Sequence, residues 1–248
     1  MMITVALPVW KSKEIAWLYM ESLCRMHQPK SEWELLVFEE MHAEQLGQKY
    51  FHSYSERLRD VGCVRNEYQT SLKKYPLSQK WIMMANESSI NSEVFCLCAA
   101  DNYYSPYMLI EAEKYIKKAD WCIVPKGYFY NFKLDSLMRF DFYSNVGLQM
   151  FARTEKVRNF PMEIKNQGVD MWFANLISPN GSKTLIIDSK HWEGILCTDG
   201  LNNISTERVE FFKDPAPPFY STSKKLEDIV PDDIYFKLKE LCRKLQLL

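Results

Sequence analysis

The stretch Cys96-Leu97-Cys98-Ala99-Ala100-Asp101-Asn102-Tyr103-Tyr104-Ser105-Pro106 is an apolar run that ends in an acid and restarts at a proline. An acid at the carboxyl end of a buried strand, in the crevice where α/β sheets bind ligands, can hold a divalent cation against a diphosphate. Asp101 is therefore read as the centre of a metal and nucleotide site. The alternative is a turn residue ahead of the helix that Ser105-Pro106 opens. Two other residues fall at strand ends: Trp10 follows the apolar run Ile3 to Val9, and Glu39 follows Leu35-Leu36-Val37-Phe38. A carboxylate there suits a nucleotide crevice and an indole can stack on a base, but a solvated turn acid and a packing aromatic fit the same positions.

These residues need a scaffold, and the chain can build one. With 248 residues and 47% hydrophobic content it can bury a substantial core as one α/β domain with a C-terminal extension. We place the domain at about 1–200, its halves meeting near 105, and the extension at 201–248. The net charge of −1 gives no whole-protein pull toward phosphate backbones or acidic lipid. Seven cysteines sit mostly in apolar runs, where reduced thiols pack as small hydrophobes. Cys96 and Cys98 have no second Cys or Cys/His pair to complete a zinc tetrahedron. The N-terminal residues lack a basic leader and a small-residue cleavage site, and no segment reaches the roughly 18 apolar residues of a spanning helix. These features predict a cytoplasmic protein, with peripheral membrane contact left open.

The apolar pattern alternates strand and helix. Ile3 to Val9 reads as a buried strand whose Pro8 is tolerable near its end. A helix should follow from the candidate N-cap Ser12, with Ile15, Tyr19, Ser22, Leu23 and Met26 on one face. Leu35 to Phe38 is a second strand, and Leu46, Tyr50, Tyr54 and Leu58 space out a second helix. A short strand near Val61 to Val64, a helix over Leu77 to Ser89, the strand Val94 to Cys98 and a helix after Pro106 complete a β-α repeat. Such alternation predicts a mainly parallel sheet with helices on both faces. From Tyr128 to Tyr143 aromatic residues crowd together without helical period, as antiparallel hairpins would require. Val169 to Ile177 returns to helical spacing, and Thr184 to Ile187 reads as a further strand. The tail from Asp232 carries Ile234, Leu238, Leu241 and Leu245 at helical spacing, a face for the domain or for a second copy of the chain.

In the order and spacing of these elements, over roughly residues 3 to 192, the chain resembles glycosyltransferases of the GT-A fold, in particular the large inverting family 2. The motifs that carry the likeness are Leu7-Pro8-Val9-Trp10, Glu39-Glu40, Lys80 with Asn86, and Ala99-Ala100-Asp101-Asn102-Tyr103-Tyr104-Ser105-Pro106. The resemblance implies a Rossmann-like nucleotide-binding mixed sheet flanked by helices, a nucleotide-sugar donor, and Mn²⁺ or Mg²⁺. It further implies donor contacts from Pro8, Trp10, Glu39, Lys80, Asn86, Ala100 and Asp101, with Asp101 as metal ligand. Ala99 replaces the first acid of the family's Asp-x-Asp pattern, which puts the donor ribose contacts in question. Asp170, in Gly168-Val169-Asp170-Met171, stands where the family carries its general base, although an acid early in a helix also suits the dipole. His191 matches a late metal ligand found in some GT-A enzymes, and a loop histidine bonded to a carbonyl fits equally.

The leading expectation is a metal-dependent, inverting sugar transferase. Its acceptor could be a glycan, a lipid-linked sugar, a protein or a modified base of viral DNA. A catalytically inactive GT-A-like binding or scaffold protein is the principal alternative. A nucleotidyltransferase is disfavoured, since Pro8-Val9-Trp10-Lys11-Ser12 has no glycine-rich loop to cradle a triphosphate.

Overall fold

The fold comes from a computed structural model and is described for residues 1–42, 44–141, 149–160, 183–199 and 209–246. Its first half alternates as the apolar pattern predicts: β1 (Met2–Val9), α1 (Ala16–Leu23), β2 (Glu32–Glu40), two short helices α2 (Gln48–His52) and α3 (Ser55–Asp60), β3 (Cys63–Ser71), α4 (Leu77–Glu87), β4 (Ser92–Leu97), β5 (Asn102–Tyr103) and α5 (Met108–Tyr115). Then come β6 (Trp121–Val124), β7 (Lys126–Asn131), β8 (Ser136–Asp141), β9 (Gln149–Arg153), α6 (Thr154–Arg158), β10 (Thr184–Ile186), β11 (Leu196–Asp199), β12 (Phe219–Tyr220) and a C-terminal helix, Asp232–Gln246.

Seven strands form one sheet in the order β10-β6-β9-β4-β1-β2-β3. β1 pairs parallel with β2 and β4, and β2 parallel with β3, whereas β9 runs antiparallel between β4 and β6. The sheet is therefore mixed, with a parallel half whose carboxyl ends open on one side. A second sheet, β12-β8-β7-β11-β5, includes the aromatic hairpin of β7 and β8. β5 starts one residue after Asp101, so the acid sits where the chain passes from the large sheet to the small one.

Side chains alternate across the large sheet, as the two-residue strand period demands. Val5, Leu7, Leu35, Val37 and Cys96 pack on Tyr19, Phe51, Leu58 and Leu109 on one face. Ala6, Leu36, Phe38, Phe95 and Leu97 pack on Trp81, Ile82, Ala85 and Val157 on the other. A third cluster joins Leu18 of α1 and Tyr128 and Tyr130 of β7 to Leu226, Ile234, Leu238 and Cys242. The face of the C-terminal helix that was expected to meet the domain or a second copy is thus spent on the domain itself.

Three departures from the periodicity have physical causes. The single helix expected over Leu46 to Leu58 breaks at Ser53-Tyr54, where the Ser53 hydroxyl donates to the Tyr50 carbonyl and competes with helix propagation. The strand expected at Val61 to Val64 extends to Ser71, because the largely polar run Arg65 to Ser71 can occupy a sheet edge. Strand β9 was not anticipated at all, since five residues without alternation carry almost no strand signal.

α1, α3 and the C-terminal helix meet at a buried acid. Glu21 accepts two hydrogen bonds from the Arg57 guanidinium at 2.9 and 2.7 Å and another from Arg25, and Arg25 reaches Asp233 at 2.5 Å. The Arg57 hydrogen bonds, helped by Arg25, outweigh burial and lower the Glu21 pKa from 4.5 to about 2. A carboxyl depressed in the folded state stabilises above its unfolded pKa, and that contribution is lost as pH falls through the folded value. Between pH 4.5 and 2 the wild type should accordingly lose on the order of 3 kcal/mol that Glu21→Gln has already lost at neutral pH. Chemical denaturation of both across that window checks this, and parallel curves would remove the assignment.

Candidate functional site

The carboxyl ends of β1, β2 and β4 bring together most of the residues singled out from the sequence. Trp10 follows β1 directly and is half-buried. Three ammonium groups surround its ring: Lys74 at 5.1 Å from the centroid, Lys11 at 5.5 Å and Lys80 at 5.9 Å. Each is within cation–π range. His42 meets the same ring edge-on at 5.1 Å, and its Nε2 accepts the Lys11 backbone N–H at 3.2 Å. Lys11 takes φ 49°, a left-handed conformation that a lysine adopts at a cost, and the His42 hydrogen bond helps to hold it there. Lys11 and Lys74 have no acidic partner among the described residues, so an indole face and two uncompensated cations share one rim.

Lys80 is different. It is buried in the first turn of α4, and its Nζ lies 2.9 Å from Glu40 Oε1. Burial outweighs the attraction of Glu40 and lowers the Lys80 pKa. Glu40 Oε1 also accepts the Tyr75 backbone N–H at 2.6 Å, while Oε2 is buried with no hydrogen-bond partner among the described residues. A carboxylate oxygen left unsatisfied beside an aromatic platform is a group that an N–H or O–H of a ligand could complete.

The neighbouring acid behaves otherwise. Glu39 accepts the Leu46 and Gly47 backbone N–H groups, both at 2.9 Å, and the Tyr68 hydroxyl at 2.9 Å. Both its oxygens bond the loop ahead of α2 or Tyr68, whereas Glu40 is the acid that pairs with Lys80 beside Trp10. Strand alternation explains the difference: successive residues face opposite sides of the sheet, and Glu40 points toward α4. Asn86 does not join the group either. It is exposed, six residues beyond Lys80 and so about 9 Å further along the helix axis. Its end of α4 abuts the amino edge of the sheet, where the Glu87 carbonyl accepts from Arg65 at 3.4 Å and Ser89 N–H donates to Glu34 at 2.8 Å. Asn86 thus stands toward the opposite end of α4 from Lys80.

Asp101 is half-buried on the turn between β4 and β5, and the Thr198 hydroxyl of β11 donates to its carbonyl at 2.7 Å. Ala100 and Pro8 are enclosed nearby in the strand-end backbone, Pro8 at its register position opposite Phe38. His191 stacks on Tyr107 with centroids 3.7 Å apart and planes 12° apart, and its backbone N–H donates to Ser189 at 2.9 Å. Among the described residues no three His, Cys, Asp or Glu side chains stand close enough to form a metal site by themselves. Asp170 lies outside the described residues.

No family model matches the chain, and no curated protein matches it. Solved structures do. The fold is that of the GT-A glycosyltransferases, with the mixed sheet and flanking helices that define the class. S. aureus TarS 1–349 in complex with UDP-GlcNAc superposes with a TM-score of 0.59 at 15% identity, covering 97% of this chain and 65% of that one. The mannosyltransferase PcManGT from Pyrobaculum calidifontis, in complex with GDP-Man and Mn²⁺, gives 0.59 at 12% identity, covering 80% of this chain and 56% of that one. The chain thus spans less than two thirds of the length of these structures. No helix among the described residues is long and apolar enough to cross a membrane.

Proposed function

We propose that this chain is an inverting glycosyltransferase that moves a sugar from a nucleoside-diphosphate donor to an acceptor hydroxyl. The observation that carries the reading is the convergence of Trp10, Lys74, Lys11, the Lys80–Glu40 pair and Asp101 on the carboxyl ends of three adjacent parallel strands. That end of an open α/β sheet is where nucleotides bind. In this reading Trp10 packs on the base, the free lysines offset donor charge, and Asp170 takes the proton of the acceptor hydroxyl as its oxygen attacks the anomeric carbon and displaces the nucleoside diphosphate.

A divalent cation fits this donor set in one way. A single protein carboxylate is enough for an ion whose remaining ligands are phosphate oxygens and water, the arrangement Mg²⁺ favours. Asp101 supplies that carboxylate, and Ala99 supplies none. When bound, the ion would offset charge on the departing diphosphate. His191, with its ring stacked on Tyr107, is a second ligand only in this same proposal.

Ligand-linked stability tests the donor assignment. At about 100 times its Kd, UDP or GDP with MnCl₂ should add about 2.7 kcal/mol. For a domain of this size that is a rise in Tm of roughly 5–10 °C. If neither nucleotide shifts the melting curve in the presence of Mn²⁺, the donor reading falls. The absence of a first motif acid at Ala99 keeps a second reading in play, a nucleotide-binding protein without turnover. The two separate on incubation with a panel of nucleotide sugars and candidate acceptors, with products weighed by mass spectrometry.

A further inference from the structure

The turn that carries Asp101 has almost no side-chain support of its own. Ala99 and Ala100 precede the acid, and neither can hydrogen-bond through its side chain. The turn is instead held from outside. Cys98 N–H donates to the Ala6 carbonyl of β1 at 3.2 Å, which ties the start of the turn to the central strand. The Tyr104 hydroxyl then accepts the Ala99 backbone N–H at 3.0 Å and the Asn102 side-chain amide at 3.2 Å, so one oxygen bridges the residues on either side of Ala100-Asp101. From the small sheet, the Thr198 hydroxyl donates to the Asp101 carbonyl at 2.7 Å.

Tyr104 is itself fixed. Its side chain is fully buried, and its ring meets Tyr19 edge-on with centroids 5.6 Å apart. Burial, with the nearby Cys98 and Cys197 thiols, raises its pKa well above that of an ordinary phenol, so the hydroxyl stays neutral at any working pH. A buried phenol whose oxygen is used twice within one six-residue segment is an anchor for that segment. Residue 99 is where the fold's relatives by sequence resemblance carry an acid. Here the backbone N–H of that residue is taken by a phenol that the same loop provides.

We propose that Tyr104 and Thr198 are positioning residues, which hold the Ala99–Asn102 turn so that the Asp101 carboxylate is presented in the geometry a metal-bound nucleoside diphosphate requires. The inference rests on the donor reading above and goes beyond it, because it assigns the pre-organisation of the acid to two hydroxyls beyond the Ala99–Asn102 turn itself, one later in the same loop and one on β11. Fixing a ligating group in advance removes an ordering cost at binding.

The experiment is calorimetric titration of UDP and GDP into wild type, Tyr104→Phe, Thr198→Val and Asp101→Asn, each with MnCl₂ and with EDTA. Tyr104→Phe keeps the ring packing and removes only the hydroxyl. It should weaken nucleotide binding about tenfold in Mn²⁺, the size of one hydrogen bond, and leave the metal-free affinity unchanged. Thr198→Val should act in the same direction. In the Asp101→Asn background, Tyr104→Phe should add nothing, because the carboxylate it positions is gone. Equal losses with and without metal would show a merely structural hydroxyl and overturn the proposal, as would an unchanged affinity in Mn²⁺. Should Tyr104→Phe not fold, Thr198→Val alone decides between the same outcomes. A wild type that binds neither nucleotide under any condition sinks the donor reading and this inference with it, whereas binding that ignores Tyr104 and Thr198 sinks only the inference.

Discussion

Asp170→Asn is expected to lower the rate of sugar transfer by about 10²- to 10⁴-fold while leaving the affinity for the donor nucleotide unchanged. The size follows from the chemistry. An acceptor hydroxyl is a poor nucleophile until a base takes its proton, and asparagine is nearly isosteric with aspartate but cannot accept that proton. The split between rate and affinity is the informative part, because a base acts on the acceptor and has no contact with the nucleotide in the proposed arrangement. Initial rates under donor saturation, together with nucleotide titration of the variant, measure both. A variant that turns over as fast as wild type would remove Asp170 from the mechanism and send the search for a base to other carboxylates. A wild type that binds nucleotide yet transfers nothing to any acceptor would favour the binding-protein reading instead.

The second large effect concerns folding. Lys80→Met should destabilise the chain by about 3–5 kcal/mol, because it leaves the Glu40 carboxylate buried with no cation. For a domain of this size the corresponding drop in Tm is on the order of 10 °C. Among the described residues, the Tyr75 backbone N–H is the one hydrogen bond Glu40 would retain, and its second oxygen has no partner even in the wild type. The double variant Lys80→Met, Glu40→Leu should recover most of the loss, since a buried pair replaced by apolar groups of similar volume is often neutral. Thermal melts of both single variants and of the double variant close the cycle. If Lys80→Met melts with wild type, the pair contributes nothing to the fold. A double variant that is stable but no longer binds UDP or GDP would separate the pair's part in the donor site from its part in stability.

Much of this architecture is legible in the sequence where burial is two-sided. β1, β2 and β4 are near-continuous apolar runs, so a strand ending just before Trp10, another running into Glu39-Glu40 and a third just short of Asp101 follow from residue type alone. α4 and α5 are equally plain, because Trp81, Met84 and Ala85, and Met108, Leu109 and Ala112, recur at helical spacing and are all buried. What periodicity could not carry was the insertion of β9, which depends on pairing with residues 55 and 31 positions earlier in the chain (Cys96 against Phe151, Trp121 against Ala152). The site divides in the same way. The positions of Trp10, Lys80 and Asp101 were available from order along the chain. Which of Glu39 and Glu40 pairs with Lys80 was not, since adjacent acids differ only in which face of the sheet they occupy, and that follows from the register of β2. Lys11, Lys74 and Tyr104 were missed because their importance lies in what stands beside them. A lysine pair flanking Trp10 in space is separated by more than sixty positions in sequence, and a tyrosine in Tyr103-Tyr104 looks like any other core aromatic.

The third hydrophobic cluster bears on how the chain is made. Leu18, near the beginning, is buried in the same cluster as Ile234, Leu238 and Cys242, which follow every other described strand and helix. On a ribosome, the sheet of β1 to β4 can assemble from early segments, but this cluster cannot close until the C-terminal helix has emerged. Until then the apolar sides of Leu18, Tyr128 and Tyr130 face solvent or a chaperone. Contacts spanning so much of the chain are slow to form, because a long loop must be ordered before they repay it. A nascent chain stalled before residue 232 would therefore carry the strands that position Trp10, Lys80 and Asp101 on a domain whose third cluster is still open, and degradation would compete with completion at that stage.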